Sequence, residues 1–260
     1  MSVVVGIDGS LAAIRAVEWA IDEAVSRNLP LRLVYVMKDN HPTMEEYRRD
    51  LKVAETSLHT AQSAVEATGK PVKIETVIEA GLPSVKLISE SVDADLVCLG
   101  STGIGGYARA LLGSTAADVA EKAHCSVAII RAPHDRPLQD INWVVVALND
   151  ASDNQVVVDA AMTEAEVRKA PVLAVGVESK KLDHELESRV DELRRRYPEI
   201  HIYPVATHDD IARFLSDHHE RVQLVVIGGS DADQLVGIVG PHGHPVYRHA
   251  ESSVLVVRRR

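Results

Sequence analysis

Residues Leu96–Thr115 read LVCLGSTGIGGYARALLGST, a strand pattern followed by a glycine-rich loop and the start of a helix. The first four residues are apolar, and the loop that follows contains five glycines, from Gly100 to Gly113. Ser114 and Thr115 then precede an Ala-rich segment that is typical of a helix. Glycines let a backbone come close to a ligand, and the free N–H groups at a helix start attract phosphate. The stretch therefore indicates an α/β fold that holds an anion after one of its strands.

Strand and helix patterns alternate through the first half of the chain. Ser10 is expected to cap the first helix, and the longest helical pattern runs from Met44 to Gly69 with an apolar stripe that includes Tyr47 and Leu51. Strands rich in β-branched residues that alternate with helices predict a parallel sheet covered on both faces. The five apolar runs predicted as strands are Val3–Ile7, Leu31–Val36, Val72–Ile78, Leu96–Leu99 and Ser126–Arg131.

The chain repeats this pattern. Val3–Ile7 (VVVGI) matches Val144–Leu148 (VVVAL), and the same offset matches Pro30 with Pro171. A segment with the proline and polar content of a linker joins the copies near Ala132–Asn142. We therefore predict two tandem doubly wound (Rossmann-like) α/β domains, residues 1–133 and 142–260. Each is expected to have a five-stranded parallel sheet of order 3-2-1-4-5.

Such a sheet binds ligands beyond the carboxyl ends of its strands, where the strand order reverses. Asp8 follows the first strand, Val36 ends the second, and Gly100 follows the fourth. A carboxylate at Asp8 can accept hydrogen bonds from ribose hydroxyls, while the helix start at Ser114 favours phosphate. Together these features predict a nucleotide site.

Two common nucleotide motifs do not explain the glycine loop. A Walker loop needs Lys after its last glycine, but Ser114 follows Gly113. Residues Gly103–Ala108 satisfy the loose G-x-G-x-x-G/A dinucleotide pattern, yet that fingerprint belongs after the first strand and this one follows the fourth. Neither motif is therefore favoured.

The spacing Gly100-x-x-Gly103, nine residues, then Gly113-Ser114 resembles the ATP-binding signature of the universal stress protein family. Asp8 after the first strand, Gly81-Leu-Pro83 and the tandem arrangement are similar to that family as well. The specific motifs cover the first half, whereas the second half matches mainly in architecture.

The resemblance implies a role for each matching residue. Asp8 would hold the ribose or the base edge, and the backbone at Val36 would meet the adenine. The glycine loop would wrap the ribose and phosphates, with phosphate also bound at the helix start. Arg109 would either neutralise phosphate or be a solvated loop residue. The implied ATP-binding residues are Gly6, Asp8, Val36, Gly100, Ser101, Gly103, Arg109, Gly113, Ser114 and Thr115.

The resemblance favours an ATP-binding regulatory or stress-response protein over an enzyme. The ligand would be ATP, with or without Mg²⁺, and AMP and cyclic AMP stay open as alternatives. No catalytic residues are predicted, because phosphoryl transfer needs a positioned water, a base and charge stabilisation that the motifs do not supply. The alternatives are a slow ATPase or adenine-nucleotide-hydrolase-like enzyme of the same fold, and an interaction protein that binds no nucleotide.

The second half departs from the motif. Asn149 falls where Asp8 would be, Asp231 replaces the second glycine, and Pro241 replaces Ser114. A carboxylate close to phosphate and the loss of two donors oppose nucleotide binding. We therefore expect one strong ATP site per chain, in the first half, and a degenerate second domain.

The composition of the chain limits the kinds of partner and site that it can have. The formal net charge of −10 argues against nucleic acid and anionic membranes. No long apolar segment or signal peptide is apparent, which predicts a cytoplasmic protein. Cys98 and Cys125 are expected to be packed thiols rather than a disulfide. The histidines of Pro241–Pro245 lack carboxylate or Cys neighbours at ligand spacing, so no metal site is predicted.

The family resemblance also implies that the final strands, Ser126–Arg131 and Ser253–Arg258, pair at a two-domain interface. Unpaired apolar edge strands are an aggregation liability, which favours such pairing. The expected assembly is an intramolecular pseudo-dimer of the two halves, with a homodimer between chains as a further possibility.

Overall fold

The computed structural model describes residues 1–103, 112–131, 142–177, 183–207, 209–217, 222–239 and 252–259. These residues divide into two compact units, residues 1–132 and 133–259. We call them the first unit and the second unit.

The first unit is a parallel sheet flanked by helices. Its strand order is β3-β2-β1-β4-β5, with every neighbouring pair parallel. The strands are β1 (Val3–Ile7), β2 (Leu31–Met37), β3 (Ile74–Ala80), β4 (Leu96–Gly100) and β5 (Ser126–Ile130). The helices are α1 (Leu11–Arg27), α2 (Met44–Glu66), α3 (Pro83–Glu90) and α4 (Ser114–Lys122).

The second unit has the same sheet order, β8-β7-β6-β9-β10. Its strands are β6 (Trp143–Leu148), β7 (Val172–Val177), β8 (Ile202–Thr207), β9 (Val222–Gly228) and β10 (Ser253–Val257). Its helices are α5 (Asn154–Arg168), α6 (Asp183–Arg196), α7 (Ile211–Asp217), a 3₁₀ helix (Gly229–Gln234) and α8 (Leu235–Val239). The predicted fold class and the order 3-2-1-4-5 are thus confirmed in both units.

Strand register repeats between the units. Val3 lies opposite Leu31 in β2, and Val144 lies opposite Val172 in β7. The Val3 N–H donates to the Pro30 carbonyl at 2.9 Å, and the Val144 N–H donates to the Pro171 carbonyl at the same distance. The sequence match therefore aligns residues with the same backbone environment.

A buried ion pair repeats on the first helix of each unit. Glu23 contacts Arg27 at 2.7 Å, and Glu164 contacts Arg168 at 2.6 Å. Both glutamates are only 1% exposed. The helix pattern did not predict these pairs, because a carboxylate on a helix is usually assigned to the solvated face.

Helix termini follow the sequence signals in part. The Ser10 side chain accepts a hydrogen bond from the Ala13 N–H, which confirms the predicted cap of α1. Helix α2 begins at Met44 as predicted but ends at Glu66, before Gly69, which adopts a positive φ of 64° in the following turn. Strand β3 starts at Ile74 rather than Val72, because the Val72 N–H is used in a turn with the Lys70 carbonyl.

The predicted apolar stripe of α2 is buried only from its middle onward. Tyr47 is 41% exposed and Leu51 is half-buried, whereas Ala54 and Ala61 are fully buried. Tyr47 lies in the first turn of α2, where its ring packs edge-on against His41 rather than into the core. The apolar spacing at Tyr47 therefore does not lead to burial.

Both cysteines, Cys98 and Cys125, are buried thiols, as predicted. The linker near Ala132–Asn142 and the histidines of Pro241–Pro245 lie largely or wholly outside the described residues. Within the described part of the chain, no helix has the length and apolar content needed to cross a membrane.

Candidate functional site

A cleft of about 590 Å³ opens at the carboxyl end of the first unit's sheet. Its walls come from the ends of β1, β2 and β4 and from the starts of α1, α3 and α4. Strands β2 and β4 lie on opposite sides of β1, so the cleft lies where the strand order reverses. The predicted site residues that border this first cleft are Gly6, Asp8, Val36, Gly100, Gly103, Gly113, Ser114 and Thr115.

Of the two other predicted residues, one lies outside the described part of the chain and the other does not border the first cleft. Arg109 lies outside the described residues. Ser101 is 5% exposed, its N–H donates to the Ile130 carbonyl, and its own carbonyl accepts from the Gly113 N–H, each at 2.8 Å. Its backbone therefore joins β5 to the start of α4, and the neighbouring Thr102 borders the cleft instead.

The glycines of the cleft serve different purposes. A Cβ on Gly6 would come within 2.5 Å of the Leu99 side chain. A Cβ on Gly100 would come within 2.7 Å of the Ala12 backbone carbon, in helix α1. The sequence assigned Gly100 to ligand approach, but its contact with α1 shows that the fold itself requires a glycine there.

Gly103 is tied to Asp8. A Cβ on Gly103 would lie 2.6 Å from Asp8 Oδ2. The other carboxylate oxygen of Asp8 accepts the Ser10 N–H at 2.9 Å, across a turn in which Gly9 has a φ of 83°. The absence of a side chain at Gly103 thus gives the Asp8 carboxylate its place in the cleft. Among the described lining residues, Asp8 is the one formally charged side chain.

The start of α4 supplies the donors at the other end of the cleft. Gly113 precedes the helix in an ordinary extended conformation, and its N–H is used by the Ser101 carbonyl. The next three residues, Ser114, Thr115 and Ala116, form the first turn, whose N–H groups have no carbonyl four residues earlier within the helix. All three border the cleft. This end of the cleft therefore carries backbone N–H donors and two hydroxyl groups, together with the positive end of a helix dipole.

Apolar side chains form another wall. Val34, Pro83, Leu87 and Leu99 border the cleft, and the side chains of Leu87 and Leu99 both lie close to Gly6. Sequence reasoning did not assign these residues to the site, because each also fits the helix or strand core pattern. The available signals were the strand positions of Val34 and Leu99 and the family-like sequence Gly81-Leu-Pro83.

The Tyr35 hydroxyl is also influenced by this site. Burial raises the pKa of Tyr35, and the negative charges of Asp8 and Asp50 raise it further. The phenol therefore stays protonated at neutral pH and keeps its hydrogen-bond donor. Tyr35 borders the cleft and was not predicted from the sequence.

The matching cleft of the second unit is much smaller, at about 90 Å³. Asn149 takes the position of Asp8 and keeps its turn, since Asn149 Oδ1 accepts the Ala151 N–H at 3.0 Å. Asp231 borders this second cleft where the first has Gly103. Pro241 lies outside the described residues. No cluster of His, Cys, Asp and Glu side chains suited to a metal ion is found in the described parts of either unit.

Comparison with known proteins identifies the family. Residues 1–131 match the profile of the universal stress protein family. A universal stress protein of Mycobacterium tuberculosis (strain ATCC 25618 / H37Rv) is 56% identical over 262 residues, covering 99% of this chain and 96% of the relative. Another from the same strain is 37% identical over 267 residues, covering 98% of this chain and 95% of the relative. The chain therefore belongs to the universal stress protein family.

A solved structure supports the tandem architecture. The universal stress protein from Archaeoglobus fulgidus DSM 4304 superposes with a TM-score of 0.74 and covers 99% of this chain and 96% of that one. Because the two sequences are only 19% identical, this match shows the fold alone.

Proposed function

We propose that the first unit binds an adenine nucleotide, with ATP as the principal ligand, and that the chain acts as a nucleotide-dependent regulatory module in a stress response. The observation that carries the proposal is the first cleft itself. It joins an apolar wall, a carboxylate and a helix N-terminus at the point where the strand order reverses. Its volume of about 590 Å³ lies within the range of small-molecule sites.

The parts of a nucleotide match the parts of the cleft. The flat face of adenine suits the apolar wall formed by Val34 and Leu87, and the backbone of Val36 lies beside it at the strand end. The Asp8 carboxylate would accept hydrogen bonds from ribose hydroxyls. The phosphates would meet the N–H and hydroxyl donors of Ser114 and Thr115. Arg109 stays a predicted phosphate contact.

Mg²⁺ would accompany the triphosphate, because oxygen ligands from phosphates and water suit this ion. The described lining offers Asp8 as its one carboxylate and no Lys or Arg. The charge of a triphosphate would therefore be balanced mainly by the helix start, by the ion and by the predicted contact with Arg109.

Regulation is favoured over catalysis by the same lining. Hydrolysis needs a base placed against an attacking water and cations around the transferred phosphoryl group. In the described wall, Asp8 is assigned to ribose and Tyr35 is a protonated phenol. A slow ATPase stays the alternative, and turnover of radiolabelled ATP by the purified chain distinguishes the two. Retention of intact ATP over hours supports a binding module, whereas release of ADP within minutes supports the enzyme.

Binding is tested first by mass analysis of the nucleotide released from denatured, purified protein, then by calorimetric titration of stripped protein with ATP, AMP and cyclic AMP. The diagnostic variant is Gly113→Ala. An added Cβ fits the fold there, since its nearest neighbours are the Ser101 carbonyl oxygen at 3.6 Å and the Gly103 nitrogen at 4.0 Å. The methyl group would point toward the backbone expected to meet phosphate, so affinity should fall about tenfold, or ~1.4 kcal/mol.

The control is Gly229→Ala in the second unit, where the added Cβ also makes only ordinary contacts, the nearest at 3.5 Å. It should leave ATP affinity unchanged. Equal affinity of Gly113→Ala and the parent would remove this loop from the site, and the absence of any nucleotide heat would refute the proposed function.

A further inference from the structure

The second cleft has a buried amide on its wall at a position where the first cleft has a methyl group. The sequence offset that aligns Val3 with Val144 also aligns Ala13 with Asn154. Ala13 is 2% exposed and borders the first cleft with a methyl group. Asn154 is 5% exposed and places an amide at the same point of the second cleft. The smaller cleft thus has an amide on its wall where the larger one has a methyl group.

Three hydrogen bonds fix the Asn154 amide. Its Nδ2 donates to the Ala147 carbonyl at 2.8 Å. Its Oδ1 accepts the Arg189 guanidinium at 2.9 Å and the Asn149 N–H at 3.3 Å. A buried amide bonded in this way is costly to displace, because its partners would each lose a hydrogen bond.

Arg189 extends the network across the end of the sheet. The same guanidinium nitrogen that reaches Asn154 also donates to the Asn149 carbonyl at 3.2 Å, and Asp150 lies 3.8 Å from the other terminal nitrogen. Arg189 belongs to α6, Asn154 starts α5, and Asn149 follows β6. One side chain thus links three elements at the edge where a ligand would lie.

The glycine loop is also replaced. In the first unit, Gly100 is followed by the non-helical residues 101–103. In the second, Gly228 leads directly into the 3₁₀ helix and α8, whose Leu235 and Ile238 are buried. The segment after the fourth strand thus begins without helix in the first unit and is used for helix and core in the second.

Charge separates the two clefts further. The described lining of the first cleft has the single carboxylate of Asp8. The lining of the second has four carboxylates, from Asp153, Asp209, Asp210 and Asp231. Like charges at short range oppose phosphate binding, more strongly where water is partly excluded.

We propose that Asn154, held in place by Arg189, closes the second cleft, so that the chain takes one adenine nucleotide and the second unit is a scaffold whose conformation does not depend on nucleotide. The statement that the chain takes one adenine nucleotide rests on the proposed function. The network itself is a property of the second unit and can be tested without any ligand.

The first arm is the calorimetric stoichiometry of the full chain with ATP and Mg²⁺. One nucleotide per chain, abolished by changes in the first cleft, is expected. Two sites of similar affinity would overturn the inference. The absence of any binding would refute the proposed function but leave the network to be decided by the second arm.

The second arm is hydrogen exchange of nucleotide-free protein carrying Asn154→Ala, which restores the residue of the first unit. Amides of β6 and the start of α5 should exchange at least about tenfold faster, corresponding to ~1.4 kcal/mol of local opening. Gln155→Ala is the control, because that exposed amide on the same helix bonds only Asp159. Unchanged exchange in Asn154→Ala would show that the network does not hold the cleft closed.

A converse variant tests the same idea in the first unit. Ala13→Asn introduces the amide at the position where α5 already accommodates one on an equivalent backbone. It should fill the first cleft and weaken ATP binding at least about tenfold, with the circular dichroism spectrum of the parent retained. Unaltered ATP affinity in a folded Ala13→Asn protein would contradict the assigned role of Asn154.

Discussion

The two clefts share the strand order and the turn after the first strand, but they differ in their side chains and in the segment that follows the fourth strand. Each lies beyond the first strand of a sheet with the same order, and each has an oxygen acceptor that bonds the N–H two residues on, from Asp8 or Asn149. Yet the first cleft holds about 590 Å³ and the second about 90 Å³. A repeated fold therefore conserves turns and registers without conserving an open site.

The two clefts differ in charge at two corresponding positions. Where the first unit has Asp8 beside Gly103, the second has Asn149 and Asp231. The amide of Asn149 can still make the turn, because only one side-chain oxygen is needed for it. The second unit therefore lacks the carboxylate after its first strand and has one at Asp231, in the 3₁₀ helix, where it would oppose phosphate.

The largest expected effect concerns a feature that the units share. Arg168→Ala should lower the free energy of unfolding by about 3 kcal/mol, because it leaves the Glu164 carboxylate, 1% exposed, without its charged partner. Arg27→Ala should cost less, since the Arg27 side chain is 32% exposed, against 11% for Arg168. Urea denaturation of both variants measures the difference, and equal losses would show that exposure does not distinguish the two pairs.

Replacing Gly103 by aspartate, the residue found at position 231 of the second unit, should weaken nucleotide binding to the first cleft. In Gly103→Asp the new Cβ would lie 2.6 Å from Asp8 Oδ2, and the new carboxylate would add a second negative charge near the phosphates of a bound nucleotide. ATP affinity should therefore fall about 100-fold, or ~2.7 kcal/mol. The double variant Asp8→Asn/Gly103→Asp, which copies Asn149 and Asp231, should relieve the repulsion between the two carboxylates and regain stability. It should still bind ATP poorly. Calorimetry and thermal melting separate the two effects, and recovery of affinity in the double variant would contradict the assigned charge effect.

The glycines that end β4 and β9 offer a matched pair. Gly100→Ala drives a Cβ to 2.7 Å from the Ala12 backbone, which cannot move without shifting α1. Overpacking of this kind should cost about 2 kcal/mol. In Gly228→Ala the nearest atoms are the Asp153 carboxylate at 3.0 Å and the Ser230 hydroxyl at 3.3 Å, both at side-chain ends, so the cost should stay below about 0.5 kcal/mol. Chemical denaturation checks this order, and a reversed order would be inconsistent with it.

Sequence patterns predicted what depends on local chemistry. The parallel sheet follows from apolar runs that alternate with helices, and the place of Asp8, Gly103 and Ser114 follows from their positions after strands and before a helix. The role of Gly100 could not be read in the same way, because its nearest neighbour, Ala12, is distant in sequence. The same holds for Asn154, whose partner Arg189 comes from another helix. The roles of Gly100 and Asn154 depend on contacts between different helices and strands, which the spacing of residues along the chain does not predict.

The smallest expected effect tests the electrostatics of the open cleft. Burial is the main cause of the raised pKa of Tyr35, with the charges of Asp8 and Asp50 adding to it. Asp8→Asn removes one of these charges, so the pKa of Tyr35 should move back toward its ordinary value but stay above it. Tyr197 is the internal control, because burial and Asp159 raise its pKa in the second unit, which the substitution does not touch.

The sign of the stability effect follows from the direction of the shift. A tyrosine whose folded pKa is raised binds its proton more tightly in the folded state. Its contribution is complete below the ordinary tyrosine pKa and is lost as the pH rises through the folded pKa. Asp8→Asn should therefore reduce the alkaline loss of stability that is due to Tyr35, and Tyr35→Phe should remove it. Ultraviolet titration of tyrosinate identifies the step by its absence in Tyr35→Phe. An unchanged Tyr35 step in Asp8→Asn would mean that the Asp8 charge does not reach across the cleft, which would also weaken its assignment as the group that faces ribose.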